Sequence, residues 1–435
     1  KKYAESGIKN YTHSVDLWMK NSGLIIDCDE KKNALRNLFK NSKVAFIYGA
    51  AGTGKSTMIN YISSLFKDKQ KIFLANTNPA VENLRRKVTA EHAEFVTITK
   101  FLSKDVSNDC DILCLDECST ISNRDMVRVL QRAQCKLLVL VGDIYQIESI
   151  LFGNWFNIAY KVMPKDSVAE LTRPHRTTVQ GLIEVWNKVR EITEDRLEFI
   201  TRNGLSSTLD ESIFSRTEED EIVLCLNYDG IYGINNINKF LQSNNVNPSI
   251  NWGVLSYKVG DPVLFNESNR FAPLVYNNLK GKILQIEEEE DCIYFTIEVY
   301  TVLNELDVIG FDLELKESVT DETSVIRFKV GRGGDGNDDN DNVENVVPFQ
   351  VAYAISIHKA QGLEYESVKV VITSEIEEMV SHNIFYTAIT RAKSKLKIYW
   401  SPETEKRILE NMKVQFNDKD YQLFKAKYKE ALLKS

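Results

Sequence analysis

The sequence predicts an α/β fold in which parallel strands deliver a phosphate-binding loop and a pair of carboxylates to one edge of a sheet. Three observations predict it. An apolar run at 44–48 is followed by a glycine-rich turn and then by residues that suit a helix. Further apolar runs at 71–75, 110–115 and 135–141 alternate with helix-like segments, and that alternation implies a parallel sheet with its ligand at the carboxyl ends of the strands. The run beginning at Cys110 ends in two adjacent acids, Asp116 and Glu117.

Composition narrows the classes. A chain of 435 residues, 43% hydrophobic, is long enough for two or three domains with their own cores and is not a disordered polymer. No apolar run approaches the roughly 18 residues of a membrane span, and no signal-peptide pattern is present. A cytoplasmic protein, placed with the nucleoid in a bacterium, is therefore the expectation. The chain starts at Lys1 rather than Met, from which we expect a removed segment or an upstream domain. The net charge of −8 gives no global pull toward nucleic acid, although a cleft can be locally basic on an acidic protein. Seven scattered cysteines read as free thiols in a reducing compartment. Cys110, Cys114 and Cys118 share a face if all lie on one strand, but no fourth ligand is near, so they read as buried strand cysteines rather than zinc ligands.

Taken in order, residues 1–29 are polar with scattered aromatics, and 29–40 form an amphipathic helix. In the loop that follows, Gly49, Gly54, Lys55 and Ser56 fill the pattern G-x-x-x-x-G-K-[ST]. Glycines allow positive φ, so successive N–H groups close around phosphate oxygens; Gly52, Thr53 and Thr57 complete the cradle. Lys55 supplies charge to the β- and γ-phosphates, Ser56 a hydroxyl for Mg²⁺, and the helix its positive dipole end. ATP with Mg²⁺ is the expected ligand. After the second strand, Asn78 is placed to cap a helix that starts with Pro79. At the end of the third, Asp116 is suited to hold Mg²⁺ and Glu117 to orient and deprotonate an attacking water. The fourth strand ends at Gly142 and Asp143.

The phosphate loop, 77–84, 97–102, Asp116 with Glu117, 142–146, 171–176, 357–364 and 386–391 resemble, in order, the successive motifs of superfamily 1 helicases. Segments 146–154 and 231–242 are closer to the RecD-like branch, and 258–286 alternates like strands around turns, similar to the small SH3-like β-barrel of that branch. The resemblance implies two RecA-like parallel-sheet P-loop domains with the barrel inserted in the second. The expected boundaries are an N-terminal segment at 1–29, a first core domain at 30–165, a second at 166–250 and 346–402, the barrel at 251–330, an acidic flexible loop at 331–345 and terminal helices at 403–435.

The same resemblance implies roles. Arg176 and Arg391 match arginines that reach the γ-phosphate from the second domain, Gln146 a γ-phosphate sensor, and Gly362 and Glu364 the lining of the nucleotide cleft. Asn78, Thr97, Thr99 and His358 match positions that contact a single nucleic-acid strand. The branch translocates 5′ to 3′, and only about forty residues separate Thr77 from Asp116, which leaves no room for the long insertion of opposite-polarity relatives. DNA is favoured over RNA. Two positions depart from the pattern. Where the family has a glutamine that reads adenine, this chain has Lys31 or a neighbour, and segment 103–109 is too short for a duplex-splitting hairpin. Two readings stay open: an ATP-driven helicase or translocase, and a nucleotide-gated strand- or partner-binding ATPase module of a larger assembly, in which an upstream domain or partner protein supplies the wedge.

Overall fold

A computed structural model describes residues 12–22, 26, 28–39, 42–103, 108–147, 153–173, 175, 177–266, 270–272, 274–318, 320–332, 345–413 and 418–433. The chain divides into two compact units. The first comprises 1–196, 381–393 and 411–435; the second comprises 197–380 and 394–410.

The first unit begins with α1 (Thr12–Ser22) and α2 (Asp29–Asn37), tied together by an Arg36–Asp16 ion pair at 2.7 Å. It continues through β1 (Val44–Gly49), α3 (Lys55–Leu65), β2 (Lys71–Ala75), α4 (Asn78–Lys87), β3 (Ala93–Thr97), α5 (Ile98–Leu102) and β4 (Asp109–Leu115). Then come α6 (Asn123–Arg132), β5 (Gln134–Gly142), α7 (Trp155–Ala159), β6 (Val168–Leu171) and α8 (Gln180–Glu191). The six strands form one parallel sheet in the order β3-β2-β4-β5-β1-β6. Its central strands are covered on both faces, which is why they read as unbroken apolar runs. Ala45, Ile47, Val139 and Val141 face α3 and α4 through Met58, Ile59, Ile62, Val81 and Leu84. Phe46, Leu138 and Leu140 face the opposite core with Phe101, Met126, Val129 and Phe156.

Three sequence expectations change here. The boundary at 165 falls short, because β6 pairs with β1 (Phe46 opposite Val168) and α8 lies in the first unit. The three cysteines do not share a face. The amides of Asp111 and Ile112 both donate to the Gln70 carbonyl, at 2.9 and 3.0 Å, so two residues of β4 oppose the one residue that precedes β2. That bulge resets the alternation and puts Cys110 in one core and Cys114 in the other, while Cys118 lies beyond the strand. Among the described residues no cluster of three metal-ligating side chains exists. Finally, the cap of α4 is Thr77, whose hydroxyl accepts from the Ala80 amide at 3.4 Å, and Asn78 is the first helical residue, with its side chain exposed.

The second unit runs through α9 (Arg196–Arg202), β7 (Ser206–Ser207), β8 (Glu221–Cys225), α10 (Ile234–Ser243), β9 (Ser249–Trp252), β10 (Leu255–Lys258) and β11 (Pro262–Phe265). It continues with β12 (Lys280–Glu288), β13 (Cys292–Val299), β14 (Glu314–Lys316), β15 (Ser324–Gly331), β16 (Phe349–Val351), β17 (Ala354–Ser356) and β18 (Tyr365–Val371). After α11 (His382–Ile389) come β19 (Ala392–Tyr399), α12 (Pro402–Asn411) and α13 (Asp418–Leu433); α11 and α13 belong to the first unit. A five-stranded sheet, β17-β8-β18-β19-β7, has β8 parallel to both β17 and β18.

The segment expected to be a barrel forms an antiparallel sheet in the order β14-β15-β13-β12-β11-β16, packed around Tyr257, Phe265, Phe295, Phe328 and Phe349. Its last strand, β16, comes from beyond the expected limit of 330, because Val263 to Phe265 need a partner on their open edge. Asp261 joins this sheet to the rest of the unit. Its fully buried carboxylate accepts from Gln242, from Asn245 at 2.9 Å, from the Lys258 amide at 2.9 Å and from the Tyr353 hydroxyl at 2.8 Å. Such complete satisfaction is what permits a carboxylate in a core. Most of the acidic stretch expected at 331–345 (333–344) lies outside the described residues, while Gly331 ends β15.

Candidate nucleotide site and nucleic-acid face

Strand β1 stops at Gly49 because nothing larger fits there. A β-carbon at that position would lie 2.3 Å from the Leu171 carbonyl oxygen and 2.7 Å from the Thr53 hydroxyl. The loop then turns through Gly52 (φ 77°) and Gly54 (φ 82°), both in the left-handed region, and α3 begins at Lys55. Thr53 is fully buried, its hydroxyl bonded to the Ala50 carbonyl at 2.9 Å; Ser56 is half-buried and Thr57 exposed. The Lys55 ammonium donates to the carbonyls of Gly49 (2.7 Å) and Ala50 (2.9 Å) and lies 3.9 Å from the Asp143 carboxylate. It therefore sits directly over the concave face of the loop.

The carboxylates come from the next two strands of the sheet. Asp116 follows β4 and accepts from the Glu117 amide at 2.8 Å. Glu117 takes a left-handed backbone, φ 50°, which a non-glycine residue adopts only at some cost in strain. Burial, reinforced by the neighbouring Asp116 charge, pushes the Glu117 carboxyl up to about 7 against the pull of Arg391, Lys55 and Lys87. Burial also raises Asp116 and Asp143 above the usual carboxylate range, while Lys55 pulls both back. One Asp143 oxygen accepts from the Tyr145 amide at 3.0 Å; the other is buried without a hydrogen bond.

Arg391 was expected to reach this site from the second domain. Instead the 381–393 segment is part of the first unit, and four contacts explain why. The Tyr386 hydroxyl accepts from the Ala51 amide of the phosphate loop at 3.3 Å, and the Thr387 hydroxyl accepts from the Ile147 amide at 3.2 Å. Asn383 donates to the Gln146 carbonyl at 3.0 Å, and Trp186 to that of Ile389 at 3.0 Å. Arg391, 2% exposed, is steered by bonds to the Thr387 carbonyl (3.0 Å) and the Thr390 hydroxyl (3.2 Å), and its charge acts on Glu117 and Asp143. Loop, acids, Gln146 backbone and arginine are thus gathered in one unit.

Two matches of family models fall on these features: an AAA domain over residues 28–210 and a UvrD-like helicase C-terminal domain over 351–399. The RecD subunit of the RecBCD enzyme from Buchnera aphidicola subsp. Schizaphis graminum is 23% identical, covering 89% of this chain and 78% of its own. The ATP-dependent DNA helicase Pif1 of Campylobacter jejuni is 23% identical over 81% of this chain and 88% of its own. The chain is similar to the RecD/Pif1-like helicases of superfamily 1. The chain spans 37% of the length of an uncharacterized protein of Methanocaldococcus jannaschii that is 24% identical over 85% of this chain. In fold it is similar to Pif1 helicase from Candida albicans, with a TM-score of 0.55 at 19% identity, covering 94% of this chain and 100% of that one. A Bacteroides Pif1 helicase in complex with ADP-AlF3 and single-stranded DNA gives a TM-score of 0.53 at 16% identity, covering 94% and 98%.

The remaining positions expected from the sequence separate into two groups. Asn78, Thr97 and Thr99 lie together at the carboxyl ends of neighbouring strands β2 and β3, where Ala75 pairs with Thr97. Asn78 and Thr99 are exposed; the Thr97 hydroxyl caps α5 by accepting from the Lys100 amide at 3.2 Å. His358, Gly362 and Glu364 belong to the second unit, in the connection from β17 to β18. There His358 is exposed, Gly362 turns at φ 81°, and the Glu364 carbonyl accepts from Lys280 at 3.2 Å. Arg176 lies outside the described residues, as does most of the short segment 103–109. Sequence reasoning missed Asp143 and Tyr386 as site residues, although both stand inside the quoted motifs. It also left Lys31 as a mere substitution. Lys31 is 4% exposed and its ammonium is 3.0 Å from His175 Nε2, beside the phosphate loop.

Proposed function

We propose that this chain is an ATP-driven motor that moves 5′ to 3′ along single-stranded DNA. The observation that carries the proposal is the placement of Lys55, Asp116, Glu117, Asp143 and Arg391 around one glycine-lined loop. A loop that only bound phosphate would need the lysine and glycines. The half-buried pair of acids and the buried arginine suit turnover.

In the proposed chemistry water attacks the γ-phosphorus, the bond to the β–γ bridging oxygen breaks, and ADP leaves with the electron pair. Glu117 accepts the proton of the attacking water; a carboxyl held near neutrality is well matched to take and release it. Lys55 and Arg391 hold the charge that spreads over the phosphoryl oxygens, the latter in the role worth about 10³ to 10⁵ in rate where such arginines act. The Ser56 hydroxyl and Asp116 carboxylate are the hard oxygen donors that fit Mg²⁺, which when bound neutralises β- and γ-oxygen charge. Asn78, Thr97 and Thr99 would hold phosphates and sugars of the strand without reading its sequence, and His358 matches the same role. The polarity rests on the resemblance of the motifs to the RecD-like branch, and the preference for DNA on the similarity to the Campylobacter jejuni DNA helicase.

The test is ATP hydrolysis with and without single-stranded DNA, with Lys55→Ala and Glu117→Gln alongside. Strong DNA stimulation lost in both variants, together with displacement of a strand from 5′-tailed but not 3′-tailed duplexes, is the expected result. Hydrolysis that ignores every strand sinks the motor reading and leaves a nucleotide-gated binding module.

A further inference from the structure

Lys31 presents a physical problem. Its side chain is almost wholly buried, yet among the described residues no carboxylate lies within ion-pair distance. The acid beside it, Glu30, is engaged elsewhere, accepting from the amide and hydroxyl of Thr172 at 2.8 Å each. The ammonium instead meets a neutral acceptor, His175 Nε2, at 3.0 Å. A buried charge without a counter-ion is costly, and such positions persist where a ligand completes them.

The surroundings of Lys31 are those of the phosphate loop. A β-carbon at Gly54 would lie 2.6 Å from the Lys31 nitrogen, so the ammonium abuts the last residue of the phosphate loop before α3. His175 is fixed to the same loop: its amide donates to the Gly52 carbonyl at 2.6 Å and its ring lies 3.5 Å from the same Gly54 position. The charged and titratable groups facing Lys31 are Cys28, Glu30, Arg173 and His175. Burial lowers the proton affinity of both Lys31 and His175; the Lys31 charge adds to the effect on His175, Arg173 adds to it for both, and Glu30 opposes it. An approaching polyanion reverses that penalty.

Building on the nucleotide site above, we propose that Lys31, held by His175, is a second phosphate-binding lysine, so that this site reads the polyphosphate chain more than the base. An ammonium carries donors only and has no acceptor for the adenine amine, so it cannot make the two-way contact that selects adenine. The ligand class is a nucleoside di- or triphosphate of any base, with inorganic tripolyphosphate as its minimal form.

The experiment uses the full chain and measures binding of ATP, GTP, CTP and inorganic tripolyphosphate, with thermal unfolding in parallel. Lys31→Met removes the charge and keeps the volume; Lys31→Arg restores charge. Lys31→Met is expected to weaken all four ligands alike by about tenfold or more, the value of one charge-assisted contact. Lys31→Arg recovers most of that loss. Without ligand, Lys31→Met unfolds at the wild-type temperature or above, because an uncompensated charge has gone, while the ligand-induced rise in Tm shrinks. An unchanged tripolyphosphate affinity overturns the inference. So does a change confined to the ATP-to-GTP ratio, or a ligand-free Tm that falls as far as the ligand-bound one. If the wild-type chain binds none of the four, the nucleotide site itself is wrong and the inference falls with it.

Discussion

Lys369 of β18 and Glu221 of β8 form a buried ion pair in the sheet whose β17–β18 connection carries His358, Gly362 and Glu364. The ammonium is 3.0 Å from one Glu221 oxygen, and the two side chains are 6% and 2% exposed. Glu221 also accepts from the hydroxyls of Thr217 at 2.9 Å and Ser367 at 2.8 Å, and Lys369 donates to the carbonyls of Ser212, at 3.0 Å, and Ser215. Lys369→Met strips the cation and leaves a carboxylate with two neutral donors in a dry site. Breaking such a pair costs about 3–5 kcal/mol, far more than the ~1 kcal/mol of an exposed one. The double variant Lys369→Leu with Glu221→Leu removes both charges. It leaves two hydroxyls and two carbonyls short of partners at about 1 kcal/mol each, partly offset by the apolar burial gained. It should therefore lie between wild type and Lys369→Met. Because the chain has two units, a single global transition is the wrong observable. Hydrogen exchange of the β8 and β18 amides localises the effect, since Ser367 pairs with Glu221 across those strands. A loss of protection under about 1 kcal/mol in Lys369→Met, or a double variant as damaged as the sum of the singles, would refute the reasoning.

Four other outcomes are expected. Gly49→Ala drives a β-carbon against the Leu171 carbonyl, an atom fixed in β6, and should lower the Tm of the first unit by the equivalent of about 1–3 kcal/mol and weaken nucleotide binding together. Thr77→Ala removes the α4 cap and should cost ~1 kcal/mol in stability. Asn78→Ala next to it should leave stability within about 0.5 kcal/mol and reduce only single-strand affinity, measured by fluorescence anisotropy. His382, 3% exposed and bonded to the Val189 carbonyl at 2.9 Å, is kept below its usual pKa by burial, with Arg196 adding to the shift and Val189, Asn383 and Asp143 opposing it. A folded-state pKa below the unfolded one means stability that is present above about 6.5 and lost as pH falls from there toward the folded value, at up to ~1.4 kcal/mol per pH unit. His382→Gln should flatten that part of the Tm-versus-pH curve; an unchanged slope counts against the assignment.

The nucleotide loop, its acids and the parallel sheet were legible because each is written locally. A loop that wraps phosphate needs glycines at positive φ, and Gly52 and Gly54 adopt it. A strand buried on both faces needs an unbroken apolar run, and β1, β2 and β5 have one. What local pattern cannot carry is where distant segments come together. That Arg391 lies in the same unit as Lys55 depends on Tyr386, Thr387 and Asn383 finding backbone partners more than two hundred residues away. The Cys110–Cys114 alternation depended on one bulge at Asp111, where two amides share the Gln70 carbonyl of a segment about forty residues away. Cap assignment moved by one residue because Thr77 and Asn78 have similar preferences and only the helix axis separates them. Lys31, finally, looked like a missing glutamine in the sequence. Its burial against Gly54 and His175 is set by the packing of α2 beside the phosphate loop, and burial with no carboxylate among the described residues in ion-pair reach is a property that only three dimensions can confer.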